Sequence, residues 1–342
     1  VSPGKKLAAV LACAAVALGV AACGSDDSGE GGGDSGDAVK VAMVLPGPIN
    51  DEGFNQSGYE GLKECEAAGA EITYQEKTPV PDFVKAFETL AQSNNLVIGH
   101  GFEFGEIAHK VAGDYPDTDF AVTSNPLKPE DPNTQHIMPN STQGAYLAGV
   151  AAGEATESNK LGGIAGFDFP VLEAQMAAFL AGAKSVNPKA TLKTVYLGTF
   201  DDVAKGKEAA RSQAASGIDV IYHIADAAGV GVIDGAEAEG IKAIGWGVDQ
   251  NDLAPKTVIA SQIVDQAKMI GESCQTLVDG EFKGGTLVID GLKSGIVDLT
   301  EVKNEPASVQ EAVDKARQQV LDGTADVPSI GGGIPGSGEG SG

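Results

Sequence analysis

Positive charge is what this 342-residue chain has least of: 23 Lys and Arg stand against 48 Asp and Glu, a formal net charge of −25. An acidic surplus of this size lacks the basic footprint that polyphosphate backbones require, which excludes nucleic acid as a partner. Aromatic residues are sparse too, 5% of the chain with a single Trp, so the few rings that fall in strand-to-helix loops become candidates for more than packing. Cysteine is limited to Cys13, Cys23, Cys65 and Cys274, and no Cys/His spacing among them suits a metal site. The sequence has no G-x-x-x-x-G-K phosphate loop and no nucleophile elbow, so the common signatures of phosphoryl and acyl transfer are missing.

Long apolar runs are confined to the beginning. Lys5 and Lys6 precede Leu7–Val20, a stretch of mostly Ala, Val and Leu that is too short to span a bilayer comfortably and reads as a secretory signal over 1–22. It ends in Val20-Ala21-Ala22-Cys23, which resembles the bacterial lipobox, with Cys23 as the lipidated residue; the alternative is an ordinary cleaved signal with an incidental cysteine. The following segment, 23–38, is Gly, Ser, Asp and Glu almost throughout. Such a composition cannot bury a core and behaves as a flexible tether. At the other end, 322–342 returns to Gly, Pro and Ser and reads as a disordered tail.

Between these ends, short β-branched runs alternate with amphipathic segments of ten or more residues, the rhythm of parallel βα units. Strands are predicted at 39–45, 71–75, 96–98 and 120–123, and again at 160–165, 191–196, 220–223 and 243–247. Two blocks of one rhythm imply an α/β protein of two similar lobes, each a mainly parallel sheet flanked by helices. The first lobe is expected over 39–130, a crossover helix and hinge region over 131–158, the second lobe over 159–256, and a return segment and hinge over 257–321. Ligands of open α/β sheets bind beyond the carboxyl ends of the strands, so the site belongs in the cleft between the lobes. Cys65 and Cys274 both fall on apolar helix faces; they are either a disulfide or two buried thiols.

The first strand runs into Gly47-Pro48-Ile49-Asn50-Asp51-Glu52-Gly53-Phe54-Asn55-Gln56. Asn50 or Asp51 suits a helix N-cap, yet Phe54 in this loop, followed by Tyr59 in the helix, also suits a flat heterocycle that needs stacking on its faces and hydrogen bonds at its edge. The run Asp51–Leu62, D-E-G-F-N-Q-S-G-Y-E-G-L, resembles the opening motif of the basic membrane protein family of ABC-transporter substrate-binding lipoproteins, which includes the purine nucleoside receptor A type. Further similarity runs through Gly99–Phe104, Tyr115-Pro116-Asp117, Tyr146–Gly149, Phe179–Gly182, Gly198–Asp202, Gly206–Ala210, Gly217–Ile221 and Gly245–Gln250, spanning nearly all of 39–300.

The resemblance implies a type I periplasmic-binding fold that captures a purine nucleoside, base or similar small heterocycle for ABC permease subunits. It implies a monomer without cofactor or catalysis, held outside the cytoplasm on the membrane by lipidated Cys23. Carried over by position, Asn50, Asp51 and Asn55 form the polar ligand loop, Tyr59 stacks on the base, and Asp249, beside Gln250, grips ribose hydroxyls, for which a carboxylate's paired acceptors are suited. Phe54, Phe102 and Phe169 are candidate cleft aromatics, the last two equally readable as packing. His223 and Asp226 are candidate contacts at a strand end, His223 equally readable as a satisfied core residue. Two departures stand out: Val264 replaces an expected lysine and Ser124 an expected aspartate, which widens the expected ligand from nucleoside to heterocycle. The alternatives are a lipoprotein that senses the ligand for a membrane signalling partner, and a nucleoside-processing hydrolase using Asp51, Asp249 or His223.

Overall fold

The computed structural model describes residues 38–51 and 53–330; the expected signal, Cys23 and most of the tether lie outside them. The chain opens with β1 (Lys40–Val44), α1 (Phe54–Ala67), β2 (Glu71–Gln75), α2 (Phe83–Ala91), β3 (Leu96–Gly99), α3 (Gly105–Ala112), β4 (Asp119–Thr123) and β5 (Thr134–Pro139). It continues with α4 (Ser141–Ala155), β6 (Lys160–Ala165), α5 (Pro170–Val186), β7 (Thr191–Tyr196), α6 (Val203–Ala215), β8 (Val220–Ile224), α7 (Asp226–Glu239) and β9 (Lys242–Gly247). Last come β10 (Val258–Val264), α8 (Gln266–Val278), β11 (Thr286–Asp290), β12 (Val297–Leu299) and α9 (Ala307–Leu321).

These strands form two six-stranded sheets, ordered β11-β5-β4-β3-β1-β2 and β12-β10-β9-β8-β6-β7. Pairing is parallel throughout except between β10 and β12. Helices cover both faces, so central strands such as β1 and β8 are buried almost throughout and read as mainly apolar runs, with His223 the polar residue inside β8, whereas the edge strands β2 and β7 keep exposed polar positions. The two-lobed α/β reading holds.

The sheets also show where the chain changes lobe. Residues 131–158 were read as crossover helix and hinge, but β5 within them is bonded to β4 and belongs to the first sheet, while α4 packs on α5 and α9 of the second lobe. The strand escaped notice because Thr134-Gln135-His136-Ile137-Met138-Pro139 lacks a β-branched run, although every residue is buried. The segment 257–321 is shared between the lobes: β10, β12 and α9 join the second, α8 and β11 the first. Connections at 139–141, 264–266 and 290–297 therefore join the lobes, the arrangement of a hinge.

Two sequence motifs find their reasons in packing. Gly149 in α4 and Gly182 in α5 sit against each other's helix: a Cβ on Gly149 would strike the Phe179 carbonyl, and one on Gly182 the Tyr146 carbonyl. Cys65 of α1 and Cys274 of α8 form a disulfide with Cα atoms 5.3 Å apart, fastening the returning helix to the first lobe. Of the tail expected to be disordered over 322–342, residues 322–330 are described and in part packed, and the remainder lies outside the described residues. Ala325 and Val327 pack on the second-lobe core, and Ile330 is 6% exposed; these apolar residues among the Gly and Pro supply the burial that an all-polar tail would lack.

Candidate functional site

The carboxyl ends of β1, β3 and β4 face those of β6, β8 and β9 across the cleft, and two cavities lie between them. One, of about 550 Å³, draws Phe54, Gln56, Ser57 and Glu60 from the start of α1 together with Asp226, Trp246, Asp249 and Gln250 from the second lobe. The hinge residues Val264, Asp265 and Gln266 close its floor. The other, of about 770 Å³, lies between the loops after β3 and β4 and the start of α5, with Ile330 in its wall.

The β1–α1 loop is built by Asp51. One oxygen of its carboxylate accepts the backbone N–H groups of Gly53 and Gln56, and the other accepts the N–H and the side-chain amide of Asn55. Asn55 Oδ1 in turn accepts the Gly47 N–H. These bonds occupy the acceptor sites a carboxylate offers and satisfy the orphan donors of the helix start.

Phe54 then stacks on His100, with ring centroids 3.9 Å apart. His100 Nε2–H donates to the Phe54 carbonyl, and the Thr123 hydroxyl donates to Nδ1 while accepting the Gly101 N–H. Burial holds this imidazole neutral, its pKa lowered to about 4. The Phe54 ring is thus fixed from behind.

On the second lobe, Gln250 organises the strand ends. Its Oε1 accepts the Trp246 N–H and His223 Nε2–H, and its N–H donates to Ser261 Oγ. Since an amide oxygen only accepts, His223 carries its proton on Nε2; Nδ1 is left buried without a partner, and burial lowers the pKa to about 4. Trp246 packs against the cores of both lobes and donates Nε1–H to Gln175 Oε1. Asp249 is exposed; it accepts the Asn251 N–H and lies 3.7 Å from Lys303 Nζ.

Asp226 opens α7 with φ 43°, left-handed geometry that costs a side chain free energy. It is half-buried, and burial with the neighbouring charges of Asp51 and Asp201 raises its carboxyl to about 7. A Cβ on Gly53, in the opposite lobe, would stand 3.1 Å from the Asp226 Cβ, a contact tight enough that Asp226 would have to give by a few tenths of an ångström.

Around the larger cavity the rings touch one another: Phe102 packs edge-on against Phe169, at 5.1 Å, and Phe169 stacks on Phe167. Buried His136 donates Nδ1–H to the Leu127 carbonyl, leaving Nε2 unpartnered.

The match to known proteins follows this geometry. Residues 38–329 match the Bmp family, ABC transporter substrate-binding protein PnrA-like. The sequence is 32% identical over 350 residues to the ABC transporter nucleoside-binding protein BmpA of Lactococcus lactis subsp. cremoris, covering 95% of this chain and 99% of that one. The chain belongs to the Bmp family. An ABC-transporter solute-binding protein from Aeropyrum pernix K1 superposes with a TM-score of 0.72 at 22% identity, covering 83% of this chain and 92% of that one. Another from Conexibacter woesei DSM 14684 gives 0.69 at 26%, covering 86% and 99%.

For this Bmp-family chain the expected site residues separate into groups. Phe54, Asp226, Asp249 and Gln250 come together at the first cavity, and Phe102 and Phe169 at the second. His223 lies behind Gln250 as a buried support. Tyr59 is a correction: five residues beyond Phe54 on a 3.6-residue helix, it is turned about 140° away and packs edge-on against Tyr74 instead of entering the cavity. Asn50 is exposed outside both cavity walls, and Ser124 follows β4 with φ 58°, its N–H donating to the Ile137 carbonyl. Trp246 was missed. Its signal was available, a lone Trp between Gly245 and Gly247 at a strand end.

Proposed function

We propose that this protein is the solute receptor of an ABC importer, that it captures a nucleoside-class heterocycle in the first cavity, and that lipidated Cys23 tethers it outside the cytoplasm. The observation that carries the reading is the double origin of that cavity. Its aromatic surface comes from Phe54 on one lobe and Trp246 on the other, with hydrogen-bonding groups from both. A molecule held there touches both lobes at once and favours the closed arrangement over the open one, which is how a hinged receptor signals that it is loaded. Planar ring walls, a few polar groups and about 550 Å³ suit a nucleoside-sized ligand. The nucleoside-binding relative in Lactococcus lactis supports the same class.

Calorimetric titration of the purified chain against purine and pyrimidine nucleosides and their bases tests this reading. Saturable one-to-one binding of at least one member is expected, without turnover on chromatography. Absence of binding across the panel removes the nucleoside class, and conversion of the ligand removes the receptor role.

A further inference from the structure

Among the described residues, the walls of the first cavity hold four carboxylates, Glu60, Asp226, Asp249 and Asp265, and no lysine or arginine. Three of the four are answered within the protein: Glu60 pairs with Lys63, Asp249 lies near Lys303, and Asp265 accepts the Lys268 N–H at the start of α8. Asp226 makes no hydrogen bond or ion pair with any described residue. It also occupies a backbone conformation that glycine would adopt at less cost. Beyond its place in the first turn of α7, where a helix start favours a carboxylate, no contact with a described residue repays this side chain, so its reason is sought in what enters the cavity.

Resting on the nucleoside-class reading above, we infer that the first cavity selects a heterocycle bearing a positive charge and that Asp226 is the specificity-determining carboxylate that meets it. The chemistry agrees on three counts. An anion such as a phosphate would enter a site with acidic walls and no countercharge. A cation would give Asp226 the partner it lacks, through a charge-assisted bond. The indole of Trp246, in the same wall, is the aromatic surface that attracts cations most strongly. Val264 at the hinge adds only apolar surface. With Asp51 and Asp201 beside it, the empty-site carboxyl holds a proton up to about pH 7. Binding of a cation ionises it, and the proton passes to the buffer.

The test titrates the full chain with adenosine, with two cationic relatives, 1-methyladenosine and 5′-amino-5′-deoxyadenosine, and with adenosine 5′-monophosphate. At least one cation is expected to bind about tenfold or more tighter than adenosine, with proton release near pH 6 seen as a buffer-dependent heat. The monophosphate is expected to bind weakest. Asp226→Asn should abolish the preference for the cation. Asp226→Gly should do the same while raising Tm, because it removes both the strain and the unpaired group, whereas a residue needed only for structure would lower Tm when replaced. Adenosine binding as well as both cations, with Asp226→Asn unchanged, overturns the inference and leaves the nucleoside reading standing. Tightest binding of the monophosphate does the same. No binding by any probe overturns both.

Discussion

Asp51 and Asp226 lie near each other across the cleft, one on each lobe, and their carboxylates live under opposite conditions. Asp51 accepts four hydrogen bonds from the helix start it organises. Asp226 accepts none from any described residue, sits at positive φ and feels the like charges of Asp51 and Asp201. The first-lobe side of the site is locked further by the Cys65–Cys274 disulfide and the Phe54–His100 stack. On the second-lobe side, groups remain open to the cavity. The two carboxylates thus have different tasks: loss of Asp51 should lower the melting temperature, and loss of Asp226 should change affinity.

The largest effect expected is from the disulfide. Replacing Cys65 and Cys274 by Ser opens a link between residues 209 positions apart and should cost about 2–5 kcal/mol of stability, read by denaturant unfolding. Unchanged stability would break the picture of a locked first lobe.

Acid comes next. His100 and His223 have folded pKa values of about 4, below the ordinary 6.5. The unfolded chain therefore binds more protons as pH falls below about 6.5, and each histidine withdraws on the order of 3 kcal/mol by pH 4. Asp226 acts with the opposite sign: its folded pKa is raised to about 7 from 3.8, so the folded state holds a proton the unfolded chain has lost, and this contribution fades as pH rises through 7. Unfolding of Asp226→Asn followed between pH 4 and 8 should show a steeper rise with pH than the parent.

Trp246→Ala should weaken ligand binding by about 2 kcal/mol, roughly thirtyfold, and Trp246→Phe should recover most of it by restoring a ring. Asp51→Ala should lower stability by about 1–2 kcal/mol with affinity changed by less than about threefold; a variant that melts normally but no longer binds would invert the assignment. Smallest of all, Phe102→Ala in the second cavity, where the ring is 42% exposed, should change affinity by less than about 0.5 kcal/mol.

The alternation of buried strands and amphipathic helices was readable from composition and period alone, because parallel strands covered on both faces announce themselves as apolar runs. Thr134–Pro139 did not, since its burial depends on neighbours in the sheet and not on its own side chains. Helix α9 was also unread: its buried residues Val309, Val313, Ala316 and Val320 are spaced for one face, but most of the rest of the helix is polar. At the site, the loop around Asp51 stood out by motif while its carboxylate proved to be spent on the backbone, a matter of bond direction that spacing does not carry. Tyr59 shows the same limit in angular form, an aromatic in the right segment and on the wrong side of the helix.

The most direct test of a receptor whose first cavity holds a nucleoside-class ligand is mass spectrometry of what the protein releases when it is purified from cells and denatured. The account predicts a heterocycle without phosphate, present at near one equivalent in the parent and depleted in Trp246→Ala. Release of a phosphorylated compound, or equal retention by Trp246→Ala protein, would contradict it.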